Sequence, residues 1–355
     1  MSSKSDLGRE ALDRIAGLWE VDEDRVERTE HGFDWWPSKF RVSVKVHPHA
    51  DSERPGEWRL VIATAFLKGV DLERAERLKT IATFSHTAPT YAWVYTPAEL
   101  SRKYELEIDG RIEFSTTAYI REDMAGWLPK FIGGMAILQA IDAHRTADTM
   151  AQILHGEPDM SGPGGQPAGE HFDDILNVGG AFFAPQGQEP NRFQELDEYT
   201  EYAERFGRSD LCFGTADSNQ LTFETPIGTS SALIRLRTDV PHPSLGNGLL
   251  ASLEFPFEKD EVAILEDCLW LNFFESRFWT DVPQMGSWHP RPGRDGQFRA
   301  GHSFFVPNAL FNNGIATNAA LWQFGRARWA KGLLYKDLED LTMEQVFERR
   351  FGGHA

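Results

Sequence analysis

From residue 40 to residue 46 apolar and polar positions alternate without a break. Phe40, Val42, Val44 and Val46 fall on one parity, and Arg41, Ser43 and Lys45 on the other. A period of two is that of a strand with one buried face. Residues 58–67, WRLVIATAFL, form a longer and more apolar run, which predicts a central strand. The period changes elsewhere. Leu7, Ala11, Leu12, Ile15, Leu18 and Trp19 make one stripe of a helix over 6–19, with Ser5 or Asp6 as its cap. A second helical pattern opens at Asp71 and runs through Leu72, Ala75, Leu78, Ile81 and Ala82. Strand patterns return at 91–95, 104–108 and 111–120, and Asp109-Gly110 supplies a hairpin turn between the last two. A long helix over about 122–154 closes this half, with Pro129 and Gly133-Gly134 as the places where it would break.

Residues 155–192 change character. HGEPDMSGPGGQPAGE and GGAFFAPQGQEPN are rich in Gly and Pro and read as a linker. Phe172, Ile175, Leu176, Phe182 and Phe183 punctuate it and would pin it to a domain surface or dock a partner. A helix over 195–206 follows, then strand-like runs at LCFG, QLTFET, 231–238 and 249–257. Asp260 opens a helix through Val262, Leu265, Leu269 and Phe273. Strands around 285–289 and 297–306 and a helix over about 308–334 complete the series. Thr342 and Gln345 have the spacing of a capping box for a short tail helix.

The two halves run in parallel. LVIATAF (60–66) aligns with LLASLEF (249–255), Asp71 with Asp260, and Phe84 with Phe273, all at one offset. Asp109-Gly110 meets Asp295-Gly296 after a three-residue deletion. The shared order is α-β-β-β-α-β-β-α, twice, which predicts an α+β fold of antiparallel sheets packed by helices. The expected divisions are a first repeat at 1–154, the linker at 155–193, a second repeat at 194–335 and a helical tail at 336–355. This order, together with AILEDCLWLNFFES (263–276), resembles the YbjN-like fold shared with type III secretion chaperones. The Asn at position 272 has no counterpart in the first half, where Ala82 stands near that place. The resemblance implies binding of other proteins without enzymatic chemistry. Those chaperones act as small acidic dimers, so a tandem chain is expected to be a monomer built as a pseudo-dimer.

The chain has 355 residues and a net charge of −18, with 36 Lys plus Arg against 54 Asp plus Glu. Such acidity repels phosphate backbones and disfavours nucleic acid and anionic membranes as partners. No run approaches the ~20 apolar residues of a membrane helix, and the first residues lack the apolar core of a secretory signal. Two cysteines, Cys212 and Cys268, do not make a disulfide framework. The expectation is a cytoplasmic protein.

Signatures of known chemistry are absent. There is no phosphate loop, no His-Glu-x-x-His, no Cys-x-x-Cys and no Gly-x-Ser-x-Gly elbow. No cofactor is expected. His47, His49 and Asp51 have the spacing of a metal site on a strand, but Pro48 argues for a strand end with two solvated histidines. His289 and His302 lie on neighbouring strand candidates and would approach each other if those strands pair, giving a general-base site; structural histidines are the simpler reading. Trp35, Trp36, Trp279 and Trp288 are candidate binding anchors, with core packing the alternative. In LWLNFFESRFW (269–279) core packing leads, a partner groove comes second and a small-molecule pocket third. Asn272 would cap a helix or bond a neighbouring backbone group. The leading functional expectation is a noncatalytic, chaperone- or adaptor-like module that binds a protein through aromatic grooves or sheet edges. The alternative is a small-ligand binder or enzyme with its site between the repeats, using Asn272, Trp288, His289 and His302.

Overall fold

The computed structural model describes residues 6–48, 57–70, 72, 75–87, 90–96, 110–165, 177, 179, 212–216, 219–227, 230–277, 282–294, 296–311 and 313–334. The expected strand at 104–108, the helix at 195–206, the tail helix, the aromatic punctuation of the linker, His49 and Trp279 lie outside these residues.

The first helix, α1 (Leu7–Trp19), is capped by Asp6, whose side chain accepts from the Arg9 amide. Four strands follow: β1 (Val26–Thr29), β2 (Gly32–Trp35), β3 (Val42–Pro48) and β4 (Trp58–Lys68). After α2 (Ala75–Thr87) come β5 (Ala92–Thr96), β6 (Arg111–Ile120) and the long α3 (Leu128–Leu154). The helix α3 is continuous. Pro129 sits in its first turn, where a missing amide costs nothing. Gly133 lets Leu18 and Ile15 of α1 come close, and its carbonyl accepts the indole N–H of Trp19.

The second half contributes β8 (Cys212–Ala216), β9 (Gln220–Ile227), β10 (Ser230–Arg237) and β11 (Gly248–Lys259), then α4 (Glu261–Arg277), β12 (Ser287–Pro292), β13 (Phe298–Pro307) and α5 (Asn313–Leu334). A two-residue strand, β7 (Glu157–Pro158), lies between the halves in sequence and pairs with β4. The first residues of the Gly/Pro-rich stretch are thus tied to the first sheet, and Arg111 holds Asp159 there at 3.1 Å.

Both sheets are antiparallel and follow one path. The first runs β1-β2-β3-β4-β6-β5, and the second runs β8-β9-β10-β11-β13-β12. Each half therefore has four strands, a helix, two strands and a helix among the described residues; the four runs read before the middle helix of the second half match β8–β11, whereas the first half adds β1 and β2 to the two runs read there. The hairpin β1–β2 is the strand pair the periodicity missed, because VERT is almost entirely polar and GFDW, though Phe33 and Trp35 share one parity, is only four residues long. The aligned segments LVIATAF and LLASLEF occupy the same fourth strand. Leu60, Ile62 and Phe66 match Leu249, Ala251 and Phe255 as fully buried positions on the helix-covered faces.

The halves meet along β5 and β12, the inner edges of the two sheets. The Trp93 amide donates to Ser287 Oγ at 2.9 Å, and Thr117 and Gln284 exchange amide–carbonyl bonds of 3.1 and 2.7 Å. The helix α2 packs on β12, α4 packs on β5, and the two helices touch. That reciprocity is the geometry of a two-fold interface. It also accounts for the composition of α4. Leu271, Phe273 and Phe274 are buried, and Leu269 and Trp270 pack partly exposed against the core. The helix is apolar on more than one face because it is covered by its own sheet and by the other half.

Candidate functional site

The polar parity of β3 and its neighbours on β4 and β6 line a concavity of about 340 Å3 on the outer face of the first sheet. Val61, Ala63 and Ala65 make a small-residue floor. Arg41, Lys45, Arg59, Arg111 and Arg277 stand around it with Ser43 and His47, and Glu113 is the one carboxylate among its described lining residues. Arg277 comes from the last turn of α4, so the site needs both halves of the chain.

The cations differ in how far they are committed. Arg59 donates from β4 to the carbonyls of Ser276 and Arg277, the latter at 2.7 Å, and so caps the C-terminus of α4 across the seam. Burial and then the neighbouring Arg277 lower its pKa to about 10, still charged at neutral pH. Arg277 pairs with Glu113 at 2.9 Å, Arg111 with Asp159 and Arg41 with Asp34 at 3.6 Å. Lys45 is exposed and makes no ion pair with the described residues. The Arg111–Asp159 and Arg277–Glu113 contacts run through Arg111 Nε and Glu113 Oε1 as ion pairs, and Arg277 Nε is buried without a hydrogen bond. A buried donor inside a native structure calls for a partner. The His47 ring lies 5.9 Å from that of His31. Burial first, then Arg59, His31 and Lys45, push its pKa down, which marks the positive field of the site. A positive recess on a chain of net charge −18 fits an anionic group, and the guanidinium donors fit carboxylate or phosphate oxygens.

The periodicity carried this signal. The alternation that placed Val42, Val44 and Val46 in the core leaves Arg41, Ser43, Lys45 and His47 together on the other face. What no local pattern contains is the arrival of Arg277 from a residue more than two hundred positions away.

The residues singled out from sequence fall elsewhere. Asn272 accepts from the Trp288 amide at 2.7 Å and donates to the Trp288 carbonyl at 3.0 Å, pairing the open edge of β12. Trp288 is buried and donates to Glu275. Trp35 stacks on Trp19 at 5.0 Å, and Trp36 bonds Ser161 Oγ; both are buried, so neither is an exposed anchor. The strands bearing His289 and His302 do pair, yet the rings do not meet. Register places His302 opposite Trp288, and His289 one residue on, so they point to opposite faces. His289 contacts Ser303 Oγ at 3.0 Å on the outer face, while His302 lies 5.4 Å from the Trp288 ring on the inner one. Their shared general-base site is therefore excluded. Of the metal triad, His47 alone is described, and no group of three His, Cys, Asp or Glu able to hold a metal occurs among the described residues. Cys268 is a buried free thiol, and no described helix is long and apolar enough to cross a membrane.

Compared with known proteins, the chain matches no family model, no curated protein and no solved structure.

Proposed function

We propose that this chain is a fused pseudo-dimer of two YbjN-like, type III secretion chaperone-like halves, and that it is a binding module whose basic concavity receives an acidic stretch of a partner polypeptide. The observation that carries this reading is the recess itself, where five cations gather around a lining with one carboxylate, three of them paired with Glu113, Asp159 and Asp34, and the Arg277 Nε donor is buried without a hydrogen bond. The matching strand paths and the reciprocal packing of α2 and α4 support the fused-pair reading. The occupant is extended and anionic, because the floor is a flat sheet face of Val61, Ala63 and Ala65 that an unfolded segment can lie across.

The test is fluorescence anisotropy with a labelled Asp/Glu-rich dodecapeptide and its Asn/Gln counterpart. The acidic peptide should bind saturably, weaken as salt rises, and lose at least tenfold in affinity on the double change Arg41→Glu and Lys45→Glu. Both positions are partly or fully exposed, so the fold should survive. Equal binding of both peptides, or an undiminished affinity in the double variant, would remove the proposal.

A further inference from the structure

A second cavity, of about 360 Å3, lies between the halves on the far side of the α2–β5 packing. The first half supplies Tyr91 and Trp93 from β5 and its approach, Phe84 from α2, and Leu138 and Ile141 from α3. The second half closes it with the turn His242–Leu245, whose two ends exchange backbone bonds of 2.7 and 2.9 Å between His242 and Gly246. His242 Nδ1 accepts from the amides of Ser244 and Leu245 and fixes that turn.

The apolar lining carries one acid, Asp142, and one base, Arg145, with Thr90 and Thr146 beside them. Asp142 projects from α3, and its Oδ2 accepts the Tyr91 hydroxyl at 2.7 Å. Its Oδ1 accepts no hydrogen bond from the described residues. Aromatic rings on several sides, an aliphatic floor and a few polar groups, with Asp142 Oδ1 as an unspent acceptor, are the marks of a small-molecule pocket.

We infer that this cleft binds a compact aromatic molecule bearing one hydrogen-bond-donating head, an amine or a hydroxyl, with the ring among Phe84, Tyr91 and Trp93 and the head on Asp142 Oδ1. The size fits, since the space is at the lower end for organic ligands. The ring faces suit a cationic head as well as an apolar body. Burial pushes the Asp142 carboxyl up, against the pull of the Tyr91 bond and Arg145, so a bound donor restores the partner that burial removed. Because the turn at 242–245 comes from the other half, a filled cleft also ties the halves together.

The experiment is calorimetric titration of the full chain with 2-phenylethylamine, 2-phenylethanol and ethylbenzene, three probes of one shape that differ in the head. The amine and the alcohol should bind saturably, and ethylbenzene at least tenfold more weakly. A larger gain for the amine identifies a cationic ligand; similar values identify a neutral one. Asp142→Asn keeps an acceptor for Tyr91 and should cost the amine at least tenfold. Leu245→Phe, on the partly buried closing turn, should fill the cleft and abolish binding of every probe. Equal binding of ethylbenzene, no binding of any probe to the folded protein, or unchanged amine affinity in a folded Asp142→Asn would each overturn the inference. The head-group series on the unmodified chain decides the matter even if a variant fails to fold.

Discussion

His302 shows how a single buried side chain sets a pH response. It is fully buried, its ring stands against Trp288 and Phe304, and neither nitrogen has a hydrogen bond of good geometry, although Gln323 approaches it. Burial first, then Arg326 and His289, hold its pKa well below the usual histidine value. The folded state thus prefers the neutral ring. The stability this contributes is complete above the unfolded value of about 6.5 and is lost as pH falls below it, at up to about 1.4 kcal/mol per pH unit. His302→Leu should flatten the loss of melting temperature between pH 7.5 and pH 5. An identical loss in the variant would assign the acid response to other groups. The pair Glu275–Arg326 behaves differently, because it is satisfied throughout. Arg326 donates to Glu275 at 2.6 and 2.8 Å, to Gln323 at 3.0 Å and to the Pro283 carbonyl at 2.7 Å. Arg326→Met strands the carboxylate and should cost about 3–5 kcal/mol in urea unfolding, and adding Glu275→Leu should recover much of it. A double variant as unstable as the single one would argue against a stranded charge as the cause.

At the level of the element, α4 explains both what periodicity reveals and what it hides. Its bounds were readable from Asp260, which caps it by accepting from the Ala263 amide at 3.0 Å. Its apolar excess was readable too, and pointed to cover on more than one side. Its C-terminus was not, because the groups that satisfy it belong to β4 of the other half. Arg59 on that strand looks like an ordinary polar-face residue. Its role exists only because the fold brings residues 276 and 277 against it. Arg59→Ala should therefore loosen an element remote in sequence. Amide exchange in the last turn of α4 should speed up, with a loss of about 1–3 kcal/mol for the unpaired carbonyls. Faster exchange confined to β4 would show that Arg59 serves only its own strand. The β1–β2 hairpin was hidden for another reason: VERT is almost entirely polar, and the Phe33–Trp35 parity of GFDW is too short a run to read as a strand.

For the whole molecule, the element order legible in the two halves became two sheets with the same strand path, while their mutual placement was beyond any local pattern. It depends on pairings such as Thr117 with Gln284 and Glu113 with Arg277, which join positions far apart in sequence. His289 and His302 do not meet for the same reason, although His302 does lie against Trp288. Their types suggest chemistry, but the sheet register decides which side each faces. The inner edges β5 and β12 are covered by each other's half, and an exposed edge carries a row of unpaired backbone groups. Each half thus protects the other, and the contacts of β5, β12, α2 and α4 should hold them together without the connection. A protease site inserted in the Gly/Pro-rich stretch should test this directly. After complete cleavage the two fragments should co-elute at the size of the intact chain and separate only in denaturant. If they part at neutral pH in dilute buffer, the seam is weaker than its hydrogen bonds and the ion pairs Arg277–Glu113 and Lys79–Glu261 suggest, and the fused-pair reading falls with it. Co-elution that is lost on Arg277→Ala would trace the association to the same turn of α4 that borders the basic concavity, so that ligand binding there and the joining of the halves would strengthen one another.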